Sequence, residues 1–95
     1  MIGLDMVEVH RIQASIQRFG DKFTHRLFTQ KEREYCDSSS ALNYQRYAAR
    51  FAAKEAVMKV FSSTTIGFLD IEILKNDSGA PYIVLSKEYH VLIKN

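Results

Sequence analysis

Residues 44–61, YQRYAARFAAKEAVMKVF, contain neither Gly nor Pro and are rich in alanine, the residue with the highest helix propensity. The stretch predicts one long helix, around which the other elements must be arranged. On a helical wheel Ala49, Ala53, Ala56 and Val60 share a small-residue face suited to close packing, and Phe51 and Met58 lie roughly opposite. A helix apolar on two sides is expected between layers rather than on the surface.

Downstream, polar Ser62 to Thr65 stops the helix. Ile71 and Ile73 alternate with Glu72, Asn76-Asp77-Ser78-Gly79 reads as a turn, and Tyr82 to Leu85 is a second apolar run, so a β-hairpin is predicted. Pro81 should open the second strand, where its missing N–H costs least. Upstream, Ile2 to Val7 reads as a short strand with Asp5 near its end. From Glu8 the spacing of Val9, Ile12, Ile16 and Phe19 predicts an amphipathic helix that Gly20 ends. Phe23, Leu27 and Phe28 form an apolar patch, and Thr29 with Glu32 matches a capping box opening a helix through about Tyr35, followed by a loop at Asp37 to Ser40. The order strand, helix, short helix, long helix, strand, strand predicts an α+β fold, with helices against a small antiparallel sheet.

A chain of 95 residues holds one domain, and so small a domain has reason to self-associate. A net charge of +2 is far from the excess that backbone-binding nucleic-acid proteins carry. The single cysteine, Cys36, excludes an internal disulfide framework and fits a reducing compartment. Asp5 and Glu8 exclude a signal-peptide core at the N-terminus, and no stretch is long enough to span a bilayer. No membrane or nucleic-acid partner and a cytoplasmic location are therefore expected.

Glu55 stands out beside Phe51 and Met58 in the alanine-rich helix, and a buried carboxylate needs a partner. Lys59 at i+4 is one candidate, and a cation is the other. Asp5, among apolar neighbours, is a second carboxylate expected to be partly buried. Two such groups near Lys, Arg and phosphate would suffice for magnesium, which takes one or two protein carboxylates and fills its shell with water and phosphate oxygens. The alternative is ordinary surface charge. Arg50, Lys54 and Lys59 surround the same helix and read either as phosphate contacts or as a solvated basic rim. Arg11 and Arg18, seven apart on the first helix, make a basic face. No nucleophile elbow, phosphate-binding glycine loop or dinucleotide fingerprint is present.

Two motifs resemble those of the holo-acyl-carrier-protein synthases, the small bacterial type of 4′-phosphopantetheinyl transferase. IGLDMVEVHRI, residues 2–12, is similar to the family's Gly-x-Asp-x-x-Glu-x-x-Arg-Ile signature, and RYAARFAAKEAVMK, residues 46–59, to its Arg-Phe-Ala-Ala-Lys-Glu-Ala helix. RLFTQKEREYC at 26–36 and DIEILKNDSGAPYIVL at 70–85 resemble further family segments in colinear order. The resemblance implies a single transferase domain over 1–95 that moves the phosphopantetheine arm of coenzyme A to a serine of apo acyl carrier protein, in fatty acid biosynthesis. It implies Mg2+ held by Asp5 and Glu55, catalysis by Glu55 and Lys59, coenzyme phosphates on Arg50, Lys54 and Lys59, carrier-protein docking on Arg11 and Arg18, and a homotrimer. Either Glu55 or a metal-associated water would take the serine proton. Two departures accompany the match. Ser62-Ser63-Thr64-Thr65 precedes Gly67 where the family has a glycine-containing loop. Family members also continue past the PYIVL-like strand into a helix and a final strand, so a C-terminally incomplete domain is expected. A truncated inactive relative and a non-enzymatic carrier-binding module are the alternatives.

Overall fold

The computed structural model describes residues 5–62 and 65–92. Among these residues four helices, α1 (Met6–Phe19), α2 (Asp21–Leu27), α3 (Gln30–Asp37) and α4 (Asn43–Val60), precede a hairpin of β1 (Ile71–Lys75) and β2 (Pro81–Leu85). Short 3-10 turns at Phe68–Asp70 and Lys87–Leu92 flank the hairpin. The α+β architecture predicted from the sequence is the one observed.

The N-terminal strand is corrected where it can be seen. Met6 and Val7 are helical, and Asp5 is the extended N-cap of α1, its side chain accepting from the Val7 N–H at 3.0 Å. The rest of that predicted strand lies outside the described residues. Gly20 ends α1 with φ of 56°, a conformation that disfavours a side chain, and its N–H donates to the Ile16 carbonyl. The apolar patch at Phe23 to Phe28 becomes α2, a seven-residue helix with no side-chain cap. At α3 the capping box forms as read: Thr29 N–H donates to Glu32 Oε1 at 2.8 Å, and Glu32 N–H to Thr29 Oγ1 at 3.3 Å.

The hairpin turn is held by Asn76, whose side chain accepts from the N–H groups of Ser78 and Ala80, and Gly79 supplies the positive φ of 86°. Strand register pairs Ile71 with Leu85 and Ile73 with Ile83, and Pro81 opens β2 as predicted. Ser86 closes the base, donating to Asp70 through both its N–H and its hydroxyl.

Two cores result. Val9, Ile12, Phe28, Cys36, Tyr47 and Ala48 form a helical one, where Tyr47 meets the edge of Phe28 at 4.8 Å between ring centroids. Phe61, Ile66, Ile71, Ile73, Leu85 and Tyr89 form the other, beneath the hairpin. Helix α4 serves both, with Phe51 packed against the first and Ala53, Val57 and Met58 against the second. The expected small-residue face does not pack along its whole length, because Ala56 is exposed and Val60 is 77% exposed.

Candidate functional site

Glu55 is not the buried carboxylate of α4. It is exposed, and among the described residues it makes no ion pair or side-chain hydrogen bond, with Lys59 or any other group. Asp5 is likewise exposed, with Oδ1 engaged in capping α1 and Oδ2 left over. Burial therefore does not explain these acids. Both carboxylates are hard oxygen donors open to solvent, which suits a magnesium ion that keeps several waters. Among the described residues no group of three or more metal-ligating side chains gathers, so water and substrate oxygens would complete any shell. Lys59 is exposed on the last turn of α4.

The buried charged residues of α4 are two of its cations, Arg50 and Lys54. Lys54 is 0% exposed, and its ammonium donates to Glu32 Oε1 at 2.5 Å, Leu27 O at 2.7 Å and Phe68 O at 3.1 Å. All three of its protons are used, so the expected phosphate contact through Lys54 is replaced by a structural one. Glu32, also 0% exposed, accepts in addition from Thr29 N–H and from Ile73 N–H at 2.8 Å. Burial pushes the Lys54 ammonium below the ordinary lysine value, and the Glu32 carboxylate opposes that shift.

Arg50, one turn earlier, is 6% exposed and does border open space, rather than lying on a solvated rim. A cleft of about 600 Å³ opens between α3, α4 and the hairpin, lined by Tyr35, Arg46, Arg50, Ile73, Lys75 and Pro81 among others and by no carboxylate. Arg50 Nε has no hydrogen-bond partner there. The Arg46 and Arg50 guanidinium carbons sit 4.2 and 4.3 Å from the Tyr35 ring centre, with the Lys75 ammonium at 5.2 Å. A hydrogen bond from Lys75, and the charges of Lys75, Arg46 and Arg50, hold the Tyr35 phenol below its ordinary value of 10.0 against desolvation. Among the described residues these three cations have no ion-pair partner and one carries an unmatched buried donor, so together they form an anion-attracting concavity. Sequence reading had Arg50 alone. The spacing of four between Arg46 and Arg50 was the available signal, whereas Tyr35 and Lys75 join only through the tertiary fold.

Arg11 and Arg18 remain on the outer face of α1. Arg11 pairs with Glu8 at 3.2 Å, and Arg18 lies over the Phe19 ring at 5.2 Å. Next to Arg18 a second depression, about 380 Å³, has an apolar floor of Phe19, Phe23 and Leu27 rimmed by Lys22 and Arg26.

Fold and residues together define a transferase class: residues 1–94 match the model of the 4′-phosphopantetheinyl transferase superfamily, and the chain belongs to that family. Within it, the similarity is to holo-[acyl-carrier-protein] synthases. The chain is 50% identical to that of Ruminiclostridium cellulolyticum, over 95% of this chain and 72% of the relative. It is 43% identical to that of Protochlamydia amoebophila, over 90% and 71%. The crystal structure of the Helicobacter pylori synthase in complex with coenzyme A matches with a TM-score of 0.76 and 33% identity, covering 88% of this chain and 72% of that one. No helix among the described residues is long and apolar enough to cross a membrane.

Proposed function

We propose that the chain transfers the 4′-phosphopantetheine arm of coenzyme A to a serine of apo acyl carrier protein, with Mg2+, in cytoplasmic fatty acid biosynthesis, and that residues 1–95 lie within a single transferase domain. The carrying observation is Glu55, an exposed carboxylate without a partner among the described residues, on a helix that lies within the stretch matching the family model. Asp5 and Glu55 would hold the ion, which when bound neutralises charge on the pyrophosphate. Arg50, with Arg46 and Lys75, binds coenzyme phosphate in the cleft, and Lys59 carries further phosphate charge. The serine Oγ attacks the phosphorus bearing the pantetheine arm, a P–O bond forms, and the pyrophosphate P–O bond breaks to release adenosine 3′,5′-bisphosphate. The serine proton passes to Glu55 or to a water. Positioning and charge stabilisation supply most of the catalysis in such a transfer.

A homotrimer fits the small size of the domain and its exposed apolar residues, Val60 and Ile83 among them. The α1–α2 surface, with Arg11 and Arg18 exposed on α1 and Lys22 and Arg26 rimming an apolar floor, fits an acidic carrier protein.

Conversion of apo to holo carrier protein, followed by mass spectrometry, tests this reading. Glu55→Gln should lower the rate by about two to three orders of magnitude without unfolding the chain, the loss typical of removing a group that stabilises developing charge. Full activity of that variant across magnesium concentrations would overturn the site. Arg18→Glu should raise KM for carrier protein well above any change in KM for coenzyme A, and equal effects would remove the docking role. A wild-type chain that binds carrier protein without modifying it would select the non-enzymatic module instead.

A further inference from the structure

The three walls of the basic cleft come from α3, α4 and β1, and each has a partner residue one structural repeat away in the Glu32–Lys54 network. Glu32 lies three residues before Tyr35 on α3, hence on a neighbouring part of the same helix face. Lys54 lies four residues after Arg50 on α4. Ile73 lies two residues before Lys75 on β1, on the same side of the strand. One carboxylate joins all three: Glu32 Oε1 takes the Lys54 ammonium, and Glu32 Oε2 takes the Ile73 N–H. The Lys54 ammonium adds the Leu27 and Phe68 carbonyls, so the end of α2 and the turn entering β1 are fixed to the same point.

Buried ion pairs seldom stabilise a protein more than well-packed apolar side chains of the same volume would, and their best-attested use is to specify register. We propose that Glu32 and Lys54 are positioning residues that set the spacing of Tyr35, Arg50 and Lys75, and thereby the affinity of the cleft for a phosphate-bearing ligand. The pair does not touch that ligand. The ligand itself, coenzyme A, rests on the proposed function, whereas the positioning does not.

The test uses the double variant Glu32→Gln/Lys54→Met, which removes both charges together and keeps an acceptor for the Ile73 N–H. Two quantities are read on the folded protein: the titration of Tyr35, followed by NMR of its ring carbon, and the Kd for coenzyme A, by calorimetry. In the wild type the hydrogen bond and charge of Lys75, with the charges of Arg46 and Arg50, should hold the Tyr35 phenol below its ordinary 10.0. In the variant it should move back toward that value as Lys75 and the arginines lose their placement, and Kd should weaken about 10-fold, the middle of the range for coupled contacts. Glu32→Gln alone, nearly isosteric, should shift both in the same direction by less, and it decides the matter by the same two readings if the double variant does not fold. A lower melting temperature with Tyr35 and Kd unmoved would mean that the pair is only structural, and would overturn the proposal. A wild type that fails to bind coenzyme A, with Tyr35 still responding to the variants, would uphold the positioning and discard the coenzyme reading.

Discussion

The two halves of α4 live in different surroundings. Tyr44, Tyr47, Ala48 and Phe51 belong to the helical core, packed with residues of α1, of α3 and of the α2 end. Ala53, Val57, Met58 and the following Phe61 belong to the hairpin core, where the sheet among the described residues has two strands and Tyr82, Ile83 and Val84 stay exposed. Lys54 lies at the seam, its ammonium 5.2 Å from the Phe28 ring on one side and bonded to the Phe68 carbonyl on the other. One helix thus ties a well-covered core to a thinly covered one through a polar joint, and the exposed candidate residues Glu55 and Lys59 sit on the thinly covered half.

The sharpest way to break the comparison is to remove half of the joint. Lys54→Met leaves Glu32 buried without its cation, a change expected to cost about 3–5 kcal/mol. In a domain of this size that corresponds to a melting temperature lower by roughly 15–30 °C. Adding Glu32→Gln should recover part of the loss, because the uncompensated charge goes with it. Urea or thermal unfolding of the three variants gives the coupling, and strictly additive losses would show that the two residues act separately.

Truncation within each core comes next. Phe28→Ala, at a position fully buried among helices, should cost about 3–5 kcal/mol, since the surrounding side chains cannot collapse into the gap. Ile71→Ala is also fully buried, yet it borders the two-stranded sheet, so relaxation should hold its cost near the lower end of about 2–5 kcal/mol. Equal losses in chemical denaturation would mean that the hairpin core is as tightly enclosed as the helical one.

Much of this division was readable in the sequence, and the exceptions have physical causes. The length of α4 followed from the absence of Gly and Pro, and the start of α3 followed from Thr29 and Glu32, because both depend on local interactions. The capping box could not reveal that Glu32 also reaches Ile73, 41 residues away. Nor could hydrophobic periodicity show that Lys54, rather than its neighbour Glu55, turns inward, since the acceptors that permit it are the Glu32 carboxylate and two backbone carbonyls, all from distant segments. Helix α2 was missed because it has no capping side chain to announce it. The early start of α1 did have a signal: Asp5 followed three residues later by Glu8 repeats the spacing seen at Thr29 and Glu32. Of the candidate site, Asp5, Glu55, Lys59, Arg11 and Arg18 could be named from motif and spacing. The cleft of Tyr35, Arg46, Arg50 and Lys75 required three elements to meet.

A pH titration separates the cores without mutation. Desolvation pushes the Cys36 thiol from 9.0 up to about 12, and burial together with the hydrogen bond from its hydroxyl to Asp37 raises Tyr47 as well. Both groups sit in the helical core. A folded-state pKa above the unfolded one gives stability that is intact below about pH 9 and is lost as pH rises toward 12, because only the unfolded thiol can ionise in that window. Each pH unit there should remove roughly 1.4 kcal/mol per fully coupled group. Cys36→Ala should flatten the dependence of the urea midpoint between pH 9 and 10.5, at the cost of a small cavity. An unchanged slope would place the alkaline sensitivity elsewhere.

The smallest expected effect lies on β2, at the uncovered end of the face that β1 buries. Ile83 pairs with Ile73 across the sheet, yet its own side chain is 52% exposed. Ile83→Thr keeps β-branching and strand propensity while exchanging an ethyl group for a hydroxyl at an exposed position, so the isolated chain should change by no more than about 0.5 kcal/mol. The proposed homotrimer gives the substitution a second reading. If copies of the chain cover this face, the melting temperature of the wild type should rise with protein concentration, because association stabilises only the folded form, and Ile83→Thr should reduce that rise. Sedimentation equilibrium on the two proteins measures the same coupling directly. A wild-type melting temperature independent of concentration, with Ile83→Thr neutral, would leave the hairpin core thinly covered in solution and would count against self-association through β2.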